Sequence, residues 1–211
     1  MDYIRWRNEI FGMPPGSDPV MCELSQEWYA VSRLEAFDHI DRSLVDQEIH
    51  TLFSKDQIGV GLQVIYCNTC SDLPLCYTEA GDDSRRIKGI GNLRHLYTNF
   101  FDRYCTSDVT SIGYDETDGP IGYVCYMFWD TFVLHPGNAS PGMIAAAIDV
   151  MAHALATTNE SCIVSAIHGL GHWVRGAPQA YEILESWLEE PTTHDRGIYE
   201  YARQATTGCI L

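Results

Sequence analysis

Four pieces between residues 140 and 208 decide the fold: SPGMIAAAIDVMAHAL (140–155), NESCIVSAIHGLGHWV (159–174), PQAYEILESWL (178–188) and RGIYEYARQATTG (196–208). Each repeats apolar residues three or four positions apart, the spacing that lines up one face of an α-helix. Each also carries a start or stop signal. Ser140 is placed to cap a helix, and Pro141 follows in the first helical position, where a missing N–H costs nothing. Asn159 caps the second piece, and Pro178 opens the third after Ala177. Thr193 is the expected cap of the fourth, and Gly208 its C-terminal stop. Links of a few residues between helices of similar length force neighbours to run antiparallel and pack on one another.

Working outward, Ile121 to Leu134 is an apolar segment that contains one charged residue, Asp130. Ser84 is expected to open a helix with Ile87, Ile90, Leu93, Tyr97, Phe100 and Tyr104 on one stripe. Ser54-Lys-Asp-Gln57 has the form of a capping box before Ile58, Leu62, Ile65 and Tyr66, although Gly59 and Gly61 weaken that helix. Pro19 to Ile40 reads as one long helix or two broken ones, and Ser43 as the cap of a short helix through Phe53. Cys70 to Asp82 reads as a loop around Pro74. Val64–Cys67 and Tyr123–Phe128 favour strand by propensity, but longer helical patterns enclose both. The expected fold is therefore all-α, an antiparallel stack of about eight to ten helices. Residues 1–211 read as one domain. A possible subdivision falls at the Ser/Asp/Gly-rich loop 106–120, between N-terminal helices (1–105) and C-terminal pairs (121–211).

Composition limits the function. Thirteen Lys and Arg stand against 29 Asp and Glu, a net charge of −16 over 211 residues. Phosphate backbones need a basic surface, so direct nucleic-acid binding is not expected. No apolar run is long enough for a membrane span, and the N-terminal stretch lacks an apolar signal core. The expected compartment is cytoplasmic, with Cys22, Cys67, Cys70, Cys76, Cys105, Cys125, Cys162 and Cys209 as thiols. From Arg103 to Arg175 there is no intervening Lys or Arg, while Asp108, Asp115, Glu116, Asp118, Asp130, Asp149 and Glu160 all fall there. That window serves solubility or steers a basic partner.

The C-terminal pairs resemble the HEAT and armadillo class of α-helical repeats. Ile163, Ala166, Ile167, Leu170, Gly171 and Val174 carry the resemblance in one helix. Ala180, Ile183, Leu184, Trp187 and Leu188 supply the facing helix, and Tyr201, Ala202 and Ala205 continue the stack. Regular proline and basic positions of that class are missing, which favours a short superhelix or an irregular bundle over a long solenoid. The resemblance implies a binding scaffold, carries no catalytic residue across and calls for no cofactor.

Several residue groups could carry chemistry. His168-Gly-Leu-Gly-His172 places two imidazoles one helical turn apart, able to grip one metal ion. Gly169 stands where a zinc metalloprotease needs its glutamate base, which excludes that class. His153 or Asp149 could supply a third ligand. The bland alternative is packing, with Gly169 and Gly171 admitting a close neighbouring helix. Cys67-Asn-Thr-Cys70 has the spacing of a zinc knuckle or redox dithiol, but lacks a second pair and a strand before it. Asp130, inside an apolar segment, must face solvent or be paired, with a histidine or Arg175 as partner. Trp129, Asp130, His135 and Trp173, with Asp115, Glu116 and Asp118, form the candidate binding surface or pocket. The leading functional expectation is a non-enzymatic, acidic helical module that binds a basic protein, as an immunity or adaptor protein would. A metal-binding protein or metal-dependent hydrolase centred on His168 and His172 is the alternative, and a small-ligand pocket near Trp129 a third.

Overall fold

The computed structural model describes residues 1–109, 111–113, 115–189 and 196–210. The helices in chain order are α1 (Tyr3–Phe11), α2 (Gln26–Tyr29), α3 (Arg33–Ser43), α4 (Ile49–Leu52), α5 (Lys55–Tyr66), α6 (Cys76–Glu79) and α7 (Asp83–Asn92). They continue with α8 (Arg94–Leu96), α9 (Asp102–Tyr104), α10 (Pro120–Thr131), α11 (Pro141–Leu155), α12 (Glu160–Trp173), α13 (Pro178–Glu189) and α14 (Arg196–Ala205). Among the described residues there is no strand, and nine helices have nine or more residues. The all-α expectation holds, including for Val64–Tyr66 and Tyr123–Phe128, which lie inside α5 and α10.

Most starts follow their caps. Ser54 and Gln57 close a reciprocal capping box on α5, Ser140 accepts from Met143 N, and Asn159 accepts from Ser161 N and Cys162 N. Each satisfies amides that a helix leaves unpaired at its start. The expected cap at Thr193 lies outside the described residues. Gly208 does adopt the left-handed conformation, at φ +67°.

Ser25 and Ser32 cap separate helices, so Pro19–Ile40 takes the two-helix alternative, with α2 and the start of α3 after a non-helical stretch. The N-terminal half departs from expectation in four places. Ser43 ends α3 rather than capping the next helix, because its hydroxyl donates back to Ile40 O. Asp82 replaces Ser84 as the cap of α7. The expected loop 70–82 contains a 3-10 turn, Leu73–Leu75, and α6. Between α8 and α9 a π turn, Tyr97–Phe101, widens the helix by one residue. That extra residue turns both Phe100 and Phe101 into the core, which a strict 3.6-residue stripe does not do.

Helix α12 is the axis of the core. Residues Cys162 to Gly171 are all buried, as is Trp173, because α10, α11, α13 and α14 pack around them. A helix apolar on every side belongs in that position. Helix α10 in turn lies between α5 and α12, and α11 between α7 and α12. One continuous set of buried side chains runs from Tyr3 in α1 to Ala205 in α14. Among the described residues, no helix is long and apolar enough to cross a membrane.

Two glycines set the spacing of α10. An ideal Cβ at Gly59 would collide with the backbone at Pro120 and Ile121, and one at Gly169 with the Trp129 indole. Each glycine costs its helix about 1 kcal/mol relative to alanine. Burying a large apolar side chain contributes about 1.5–3 kcal/mol. Close approach therefore wins.

Candidate functional site

Asp130 stands one residue before the end of α10, and His168 and His172 stand one turn apart on α12. The close approach at Gly169 places Trp129 against α12. Asp130, the next residue, then reaches both imidazoles. His168 Nε2 lies 2.6 Å from Asp130 Oδ2, and His172 Nε2 lies 2.6 Å from Asp130 Oδ1. The two Nε2 atoms are 3.2 Å apart. His168 is 2% exposed, whereas the side chains of Asp130 and His172 are 23% and 38% exposed. The cluster is thus sealed on its His168 side and open on its His172 side.

Two tyrosines support it from behind. The Tyr201 hydroxyl of α14 bonds to His168 Nδ1. Tyr126, one turn before Asp130 on α10, has its hydroxyl 3.4 Å from that of Tyr201 and its ring centroid 4.6 Å from that of His168. Burial, helped by Tyr126 and Asp130, pushes the Tyr201 phenol far above its ordinary value, so the hydroxyl keeps its proton. His168 Nδ1 shares its hydrogen bond with that hydroxyl, and Nε2 is the nitrogen that faces the carboxylate. Burial acts to raise the Asp130 carboxyl. Hydrogen bonds and charge from His168 and His172 outweigh it and hold the group well below the usual carboxylate range.

Asp130, His168 and His172 each offer a donor atom, and those atoms lie within 4.8 Å of one another. Two imidazole nitrogens and one carboxylate oxygen, with a solvent side, are the donor set of an open transition-metal site. Donors around a tetrahedral zinc ion stand roughly 3.4 Å apart, close to the Nε2–Nε2 separation. Tyr201 fills the role of an outer partner that fixes the orientation of a ligating ring.

No protein-family model, curated protein or solved structure matches the chain. The site therefore rests on its own geometry.

Of the sequence-predicted residues, Asp130, His168 and His172 come together. Asp130 takes the paired alternative, with both histidines; Arg175 instead bonds Cys209 Sγ at 3.5 Å. Asp149 and His153 are exposed on α11, and the metal-spaced group contains Asp130 in their place. Trp129 and Trp173 are core residues, 3% and 1% exposed, with ring centroids 5.7 Å apart. Neither presents a binding surface. His135 closes a turn through Gly137 N and Asn138 Oδ1. Asp115 and Glu116 are exposed, whereas Asp118 is buried and bonded to Lys55 Nζ at 2.9 Å and Thr106 N at 2.7 Å. Tyr126 and Tyr201 were not singled out as site residues. The signal for Tyr126 was its i,i+4 spacing to Asp130; Tyr201 had none, since only the docking of α14 brings it to His168.

Proposed function

We propose that this protein binds a divalent transition-metal ion of the zinc class through Asp130, His168 and His172. The convergence of two Nε2 atoms and a carboxylate from α10 and α12 carries the reading. An ion takes the place of the proton-mediated contacts, and the exposed side next to His172 leaves a position for water or an exogenous ligand. A hydrolytic role would use that position; Gly169 removes the usual base. The test is metal analysis after zinc loading and exhaustive dialysis. One ion per chain is expected, lost in His172→Ala and Asp130→Ala. Folded wild-type protein that retains no ion under those conditions rejects the reading and leaves a hydrogen-bonded packing cluster.

A second reading, docking of a basic protein, is favoured by the exposed acids Asp108, Asp115, Glu116 and Asp149 in a window without Lys or Arg. The set of free acids is smaller than the sequence implies, because Asp118 is paired with Lys55 and Asp130 with the two histidines. The finer HEAT or armadillo likeness belongs with this reading, as a scaffold of α11 to α14. Binding of a mixed Lys/Arg peptide that weakens with salt and with the double change Asp115→Lys, Glu116→Lys supports it. Binding indifferent to both opposes it.

A further inference from the structure

The N-terminal half carries an open cavity of about 430 Å³ that the site on α10 and α12 does not use. Its floor is apolar, lined by Leu24, Trp28, Val31, Val64 and Leu73. Local structure explains what stands around it. Ser25 caps α2, which has only four residues. Trp28 turns inward and stacks on Trp6 with ring centroids 5.7 Å apart, and Tyr29, the next residue, is carried to the outside. Val20 and Tyr29 line the cavity yet are 58% and 72% exposed, and Met21 beside Val20 is 76% exposed. Large apolar side chains left in water beside one hollow mark a surface that a partner covers.

Charge defines that partner. The sequence has no Lys or Arg from Gly12 to Ser32 and none from Tyr66 to Ser84, the two stretches that supply most of the cavity walls. Asp18, Glu23 and Asp72 are exposed there and, among the described residues, make no ion pair. The arginines at the edges are already engaged: Arg33 lies 2.8 Å from Glu79 and Arg5 lies 2.6 Å from Glu27.

We propose that this hollow docks a basic amphipathic segment of a partner protein. The segment seats a large apolar side chain against Trp28 and Leu73 and sets Lys or Arg against Asp18, Glu23 and Asp72. A cavity of this size takes such an anchor, and an apolar floor with a charged rim is the usual build of a helix-binding groove. The same charge decides against other occupants. A second copy of the chain would bring the same carboxylates to these, and nucleic acid or anionic lipid would bring phosphate. A small neutral ligand would fill the floor but leave Met21 and Tyr29 in water. None of these acids belongs to the second reading above, so the proposal stands without it.

The test uses the full chain and a synthetic Lys/Leu amphipathic peptide with one central Trp, followed by fluorescence anisotropy of a dye on the peptide. One-to-one saturable binding that weakens with added salt is expected. Replacing the peptide's Trp by Ala should weaken binding about tenfold, as loss of a buried anchor does. The double change Glu23→Lys, Asp72→Lys should weaken it too, whereas Asp115→Lys with Glu116→Lys should not. Val31→Trp fills the hollow and should abolish binding. If that variant folds poorly by circular dichroism, Met21→Ser with Tyr29→Ser alters only exposed side chains and should weaken binding in the same sense. The proposal is overturned if the wild-type chain shows no saturable binding, or if the peptide lacking Trp or a matching Glu/Leu peptide binds as tightly. It is also overturned if the changes at Asp115 and Glu116, and not those at Glu23 and Asp72, release the peptide, which would assign the basic partner to the acids of the second reading.

Discussion

The Trp129 indole occupies the space into which a Cβ on Gly169 would project. Every contact of Asp130 with His168 and His172 depends on that approach. A wider spacing of α10 and α12 would carry the carboxylate away from both imidazoles.

Gly169→Ala therefore sets two effects against each other. Alanine favours the helix by about 1 kcal/mol, and overpacking against a fixed indole costs about 1–3 kcal/mol. The expected outcome is a net loss of stability in urea denaturation, with weaker metal retention. A more stable variant would show that Trp129 yields freely and that close approach is not a constraint.

Asp130 gives an acid limb. Its folded-state pKa is depressed below the ordinary 3.8. The stability it contributes is complete above that ordinary value and is lost as pH falls through the lower folded one. Compared with Asp130→Asn, metal-free wild-type protein should be more stable at neutral pH, by about 1.5–3 kcal/mol for hydrogen bonds to a charged group. The difference should shrink below about pH 4. A gap that stays constant down to strongly acidic pH contradicts this assignment.

Tyr97 anchors Trp129 from the other side. Its hydroxyl accepts from Trp129 Nε1 at 2.9 Å and lies 2.9 Å from Ser165 Oγ, all of it buried. Tyr97→Phe leaves the indole N–H without its acceptor and should cost about 1–3 kcal/mol. Chemical denaturation monitored by circular dichroism measures it; a neutral substitution would mean the network relaxes onto other partners.

Asp118 clamps the start of α10. Its carboxylate takes Lys55 Nζ, Thr106 N and, at 3.1 Å, Thr106 Oγ1. Asp118→Ala should cost about 1–3 kcal/mol, below the value for a fully buried pair because Lys55 remains partly in water. Faster hydrogen exchange at the Thr106 amide is the local readout. Unchanged protection there would place the hold on this loop elsewhere.

Helices α5, α11 and α12 were legible because their caps and periodicity are local properties. Ser54, Ser140 and Asn159 each bond amides two or three residues away, so nothing distant is needed to predict them. The close packing expected at Gly169 and Gly171 was legible for a related reason. A glycine inside a helix needs a compensating contact, and Trp129 and Ala205 supply it. Around Ser43 and Ser84 the reading failed because several polar residues compete for one terminus. The winner, Asp82 in the second case, depends on how α7 meets its neighbours.

For the site, the sequence alone determined that two imidazoles share one helical face, since i and i+4 always do. It also established that Asp130 needs either solvent or a partner, because a carboxylate cannot lie unpaired among apolar residues. Only the tertiary structure decided which partner it took, and that Tyr201, 33 residues beyond His168, stands behind the ring. Those contacts join α10, α12 and α14. Their geometry follows from helix spacing, and helix spacing is a property of the whole packed core rather than of any one segment.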